Sequence, residues 1–169
     1  MIRPPFRARM SIRRLWRGAA LSAVALGLAA APATAAPLAP SAVGDMCGTG
    51  YAYVHAEPVV RSGSTLPAGT VYVQYNPYTR TFCGFAPKSR WVGMATDMHV
   101  ATVGASGAAE EGNSLSGTSL YAMGPSREPA WEHDGRDCVL FGARMSDPQG
   151  NQYFHQSANA AIGYTRLCV

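Results

Sequence analysis

Thr70-Val71-Tyr72-Val73-Gln74-Tyr75, then Asn76-Pro77-Tyr78-Thr79-Arg80, then Thr81-Phe82-Cys83-Gly84-Phe85 is the stretch that decides the fold. The two flanks are rich in β-branched and aromatic residues, which fit a pleated, half-buried surface. Between them Asn76-Pro77 supplies turn chemistry, because proline presets φ and asparagine bonds its own backbone. The reading is two strands closed into a hairpin by a short loop. Tyr72 and Gln74 share one face of the first strand; Val71, Val73 and Tyr75 share the other.

The same alternation recurs outward in both directions. Tyr51-Ala52-Tyr53-Val54-His55 reads as a strand before the hairpin, and Trp91–Met94, Met98–Val103, Ser119–Met123, Cys138–Met145 and Gln152–His155 read as strands after it. Gly124-Pro125, Asp134-Gly135 and Asp147-Pro148-Gln149-Gly150-Asn151 punctuate them as turns. Short strands at this spacing with no long helical period predict an all-β chain, a small antiparallel β-sandwich or barrel. Ala105–Gly117, small, polar and acidic, is expected to be an exposed loop, with a helical turn around Ala108–Glu111 as the alternative.

Four cysteines, Cys47, Cys83, Cys138 and Cys168, are an even number without any C-x-x-C pair. That spacing argues for two disulfides in an oxidising compartment and against zinc or thioredoxin-like chemistry. Three pairings are open. The sequential one, Cys47 with Cys83 and Cys138 with Cys168, is the expectation carried forward.

Residues 1–36 carry Arg3, Arg7, Arg9, Arg13, Arg14 and Arg17 and no acid. The uncharged apolar run Gly18–Ala31 follows, then Pro32 and the small residues Ala33-Thr34-Ala35-Ala36. This is a secretory signal peptide with cleavage expected after Ala35 or Ala36. A bilayer-spanning helix needs about 20 apolar residues, so no transmembrane anchor is expected in the mature form. Arg13-Arg14 partly fits a twin-arginine signal, but Arg17 favours the general secretory route. Residues 37–46 read as a flexible leader, and 47–169 as one disulfide-framed β domain, about 130 residues being ample for one core.

Of 14 basic and 10 acidic residues, six basic and no acidic ones precede residue 37, so eight against ten leaves a mature net charge of −2. The basic character belongs to the targeting segment, and nucleic acid is not an expected partner. Thirteen of the basic residues are arginine; Lys88 is the single lysine.

Chemistry-bearing patterns are sparse. Asp97-Met98-His99 places an acid and an imidazole on one face of a strand, and Asp97, His99 or His133 would be the residues of a small hydrolase. No serine lies in G-x-S-x-G, and no phosphate loop or H-E-x-x-H helix is present. The run Glu128–Asp137 holds four carboxylates and His133 beside Trp131 but lacks the twelve-residue calcium-loop pattern, so it reads as a solvated turn. No cofactor, metal site or catalytic residue is expected. Tyr51, Tyr53, Tyr72, Tyr75, Tyr78 and Trp91 are core aromatics or a sugar platform. Tyr72, Tyr78 and Trp131 are the expected surface or ligand contacts.

Cys47-Gly48-Thr49-Gly50-Tyr51, Gly69–Asn76 leading into Cys83, Tyr121-Ala122-Met123-Gly124-Pro125, Gly135-Arg136-Asp137-Cys138 and Cys168 together resemble the spore-associated protein A family of filamentous actinobacteria. The likeness spans nearly all of the mature chain. It departs at Phe141-Gly142-Ala143, where the family carries a Trp-Gly-Gly element, and at the extra Met123. The resemblance implies a small secreted protein at the spore or hyphal surface and carries over no catalytic residue. The expectation is therefore a secreted, non-enzymatic protein that adheres to cell-envelope or spore-surface components. The alternative is a secreted polysaccharide-binding or protease-inhibiting module.

Overall fold

Ten strands run through the residues that the computed structural model describes, 46–105, 113–158 and 163–169, all within the unit Thr34–Val169. They are β1 (Ala52–Val60), β2 (Gly69–Asn76), β3 (Thr81–Pro87), β4 (Thr96–Val103), β5 (Asn113–Ser119), β6 (Ala122–Pro129), β7 (Trp131–His133), β8 (Arg136–Ser146), β9 (Gln152–His155) and β10 (Thr165–Cys168). Every pairing is antiparallel. The fold is all-β, as the sequence predicts. The expected signal peptide, the leader as far as Asp45 and the Ala108–Glu111 turn lie outside the described residues.

The deciding hairpin forms as read, with Asn76 opposite Thr81 and Tyr75 opposite Phe82. Asn76 Oδ1 accepts from the amides of Tyr78 and Thr79 at 3.0 and 3.3 Å, which holds the turn. From it the sheet runs β5-β4-β8-β9-β1-β2-β3-β6. The long strand β8 organises one side: β7 and β4 follow one another along one of its edges, and β10 and β9 along the other.

The two ends of this path meet without a backbone ladder. Ser126 on β6 donates its hydroxyl to Asn113 O on β5 and accepts the Thr102 amide of β4 at 3.0 Å. Asn113 Nδ2 also donates to Arg127 O. Side chains thus nearly close the sheet into a barrel. Inside it, Val71 and Val73 of β2, Phe82 of β3, Val100 of β4, and Val139, Phe141 and Met145 of β8 form one buried cluster.

Both expected disulfides are present, Cys47–Cys83 and Cys138–Cys168. The first pins the segment before β1 onto the outside of β3 and joins Tyr72 and Phe85 in a second buried cluster, against which Tyr51 packs. The second links residues directly opposite one another in β8 and β10.

Four local expectations need correction. Trp91–Met94 is a turn, not a strand, and Trp91 has φ of 53°. Ser119–Met123 is split by the Leu120-Tyr121 turn between β5 and β6. Asn113–Gly117 is not loop but most of β5: an edge strand needs only backbone pairing with β4, not an apolar face. Glu128–Asp137 is not one solvated turn: it ends β6 and forms the β7–β8 hairpin around Asp134-Gly135, both at positive φ as a tight two-residue hairpin turn requires.

Candidate functional site

On β4 the alternation sends Met98 and Val100 into the core and Asp97 and His99 outward. The register then assembles a row across five strands. Ser116 of β5 stands opposite His99, His99 opposite Arg144 of β8, Arg144 opposite Phe154 of β9, and Phe154 opposite Val60 of β1. Paired residues share a face, so the row forms one continuous strip on the outside of the barrel.

His99 Nδ1 lies 2.7 Å from Ser116 Oγ. Burial, then the neighbouring Arg144 charge, pushes the His99 pKa below its ordinary value, so the ring is neutral at neutral pH. Arg144 is exposed and makes no ion pair among the described residues. Phe154 is 45% exposed. The Tyr164 ring packs close to Gly142, where a Cβ would come within 2.6 Å of it. A cleft of about 260 Å³ is lined by His99, Arg144, Phe154 and Tyr164, and another of about 470 Å³ by Phe154, Val60, Ser62, Gln156 and Ala158. Phe154 and Gly163 border both, so the two clefts adjoin on this face and give it a grooved surface with Phe154 at its middle.

Asp97 shares the outer face with His99, as the sequence implies, but is not brought to it. Its Oδ1 accepts from Thr118 Oγ1 at 3.1 Å, so acid, imidazole and serine hydroxyl do not form a relay. His133 is on β7, beside Asp134 at 3.4 Å, and joins neither.

Of the expected contact residues, Tyr78 is 91% exposed at the tip of the β2–β3 turn. Trp131 is half-buried and packs against Ala101, Val103 and Leu140 on the outer face. Tyr72 faces outward as the alternation requires, but the Cys47–Tyr51 segment covers that side. Only 7% exposed, it stacks on Phe85 and leaves the contact surface. In the acidic run, Asp137 is claimed by Arg80 Nε at 3.0 Å and by the Tyr75 hydroxyl. Those two bonds hold its carboxyl below the usual range. Among the described residues no group of three or more His, Cys, Asp or Glu could hold a metal ion.

Two further polar features escaped the sequence. At the β1–β9–β10 junction Glu57 accepts from the Ser157 amide at 2.9 Å and its hydroxyl at 2.6 Å, while His55 Nε2 lies 2.8 Å from Glu57. The buried His155 lies with Nε2 3.1 Å from Thr165 Oγ1, which donates to Ser157 O at 2.6 Å. This chain of bonds closes the barrel wall rather than opening a site. At one barrel end the buried Lys88 donates from Nζ to Met94 O at 2.9 Å and Ser119 O at 2.5 Å. Gly93 N donates to Leu120 O at 2.9 Å, and Ser89 Oγ to Pro67 O at 3.3 Å. The ammonium thereby ties two connections together and Ser89 ties in the third, and the three carry Leu66, Val92, Met94, Leu120 and Tyr121, each between 44% and 63% exposed. Only tertiary contact assembles these five, since they come from three separate loops.

No family model matches the chain, and neither the curated proteins nor the solved structures yield a match.

Proposed function

We propose that this is a secreted, non-enzymatic protein that adheres to the cell envelope, at the spore or hyphal surface. The observation that carries the reading is the apolar barrel end. Exposed large apolar side chains gathered in one region mark interaction sites, and here five stand on three connections at one barrel end, two of them tied by Lys88 and the third by Ser89. A rigid patch loses little entropy on docking, which favours adhesion. Two disulfides suit an oxidising, extracellular setting. The likeness of the cysteine frame to spore-associated proteins supports the location.

The test is co-sedimentation of purified protein with isolated envelopes of a filamentous actinobacterium. The wild type pellets with the envelopes, and the double variant Leu120→Ser, Tyr121→Ser pellets markedly less while keeping its β-sheet circular dichroism. Equal pelleting of the two would remove the apolar end from the account.

A further inference from the structure

The groove around Phe154 is a second kind of surface, polar and aromatic rather than apolar. We propose that it binds an anionic polysaccharide, with Arg144 taking the acid group and Phe154 stacking on the face of a sugar ring. The proposal rests on the envelope reading only for where such a polymer would be met; the binding itself is a property of the purified chain.

Three observations lead there. First, Arg144 presents a guanidinium with no carboxylate partner among the described residues, and that planar fork suits bidentate capture of a carboxylate or phosphate. Arg80 is tied to Asp137 and Arg90 to the Trp91 ring at 4.5 Å. Of exposed arginines without an ion pair among the described residues, such as Arg61, Arg136, Arg144 and Arg166, it is Arg144 that lines the clefts. Second, Phe154 stands in β9 opposite Arg144 and is 45% exposed. An aromatic beside a cation offers a sugar an apolar face and an ionic anchor at once. Third, the two clefts on either side of Phe154 extend the groove across β4, β8, β9 and β1. That shape fits a chain of sugars rather than a single small anion.

His99 completes the polar side. With Nδ1 tied to Ser116, the nitrogen left for a ligand hydroxyl is Nε2. The mature chain is net acidic, eight basic residues against ten acidic, so bulk attraction cannot draw in a polyanion and recognition must come from this local cation.

The experiment titrates the full purified chain with polygalacturonate, a carboxylate polymer, with poly(glycerol phosphate), a phosphate polymer, and with neutral dextran. Binding to one or both polyanions and not to dextran is expected, the arm that binds naming the acid group. Arg144→Gln and Phe154→Ala each weaken it about tenfold or more, the scale of losing one charge-assisted hydrogen bond or stacked ring, whereas Phe154→Trp retains it. Arg90→Gln, outside the groove, leaves it unchanged. Absence of binding to both polyanions overturns the proposal, as do equal binding of dextran, undiminished binding by Arg144→Gln or Phe154→Ala, loss in Phe154→Trp, or an equal loss in Arg90→Gln.

Discussion

The hydroxyl of Ser126 on β6 lies 2.9 Å from that of Thr102 on β4, both residues fully buried, across a gap that no backbone ladder spans. With the Ser126 hydrogen given to Asn113 O, Thr102 is the donor of this pair, and a single serine satisfies three groups on two strands. Ser126→Ala leaves buried donors and an acceptor unmatched, at a cost of roughly 1–3 kcal/mol per group that water cannot reach. Urea unfolding should show a lower midpoint with an unchanged slope. A midpoint equal to that of the wild type would mean that side chains do not close the barrel.

The disulfides stabilise by shortening the unfolded chain's excursions. Sequence separations of 36 and 30 residues correspond to about 4 kcal/mol each on the chain-entropy account. The pair Cys47→Ser, Cys83→Ser also frees the segment that covers Tyr72. That variant should therefore lose stability and gain tyrosine accessibility together, measured by thermal unfolding and solvent-perturbation spectroscopy. Removing Cys138–Cys168 should cost comparable stability without exposing Tyr72.

Acid should loosen the β1–β9–β10 junction. Burial pushes the His155 pKa below its ordinary value of 6.5, so the unfolded chain takes up a proton that the folded one refuses. Its contribution is fully present above that value and is lost as pH falls. Burial pushes the Glu57 carboxyl up, but the bonds from Ser157 and His55 outweigh it and leave the pKa below 4.5, so protonation weakens the fold in the same direction at lower pH. His99 adds to the first effect. The melting temperature should fall between about pH 7 and pH 4, and His155→Gln should flatten the upper part of that slope. An unchanged slope in the variant would place the sensitivity elsewhere.

Lys88 is the brace of the apolar end. Its pKa is lowered by burial, and its ammonium serves two carbonyls rather than a carboxylate. Lys88→Ala should release the Trp91–Met94 turn from β5. Limited trypsin digestion should then cut after Arg90 many times faster than in the wild type, even though one trypsin site has been removed. Unaltered cleavage would show that backbone bonds such as Gly93 to Leu120 hold the end unaided.

What the sequence disclosed follows from where its information is local. Val71, Val73, Phe82 and Asn76-Pro77 announce the hairpin because alternation and turn chemistry are written within sixteen residues. The cysteines announce the disulfide frame by count and spacing. β5 was missed because Asn113–Ser119 is an exposed edge strand with no apolar stripe, and β10 because its neighbours along β8 define it. Tyr72 was misplaced for a related reason: period two gives the face of a sheet, not whether another segment lies over that face. The groove is still less local. Ser116, His99, Arg144 and Phe154 come from four strands, and only the register aligns them.

The proposed function requires that the chain work outside the cell, at the envelope. Fractionation of a producing filamentous actinobacterium, with N-terminal sequencing of the recovered protein, tests it most directly. Secretion to the envelope should yield, from the envelope fraction, a chain that starts at Ala36 or Pro37 with both disulfides formed. Recovery of the protein only from the cytosol, with its N-terminal arginines retained and its cysteines reduced, would contradict it.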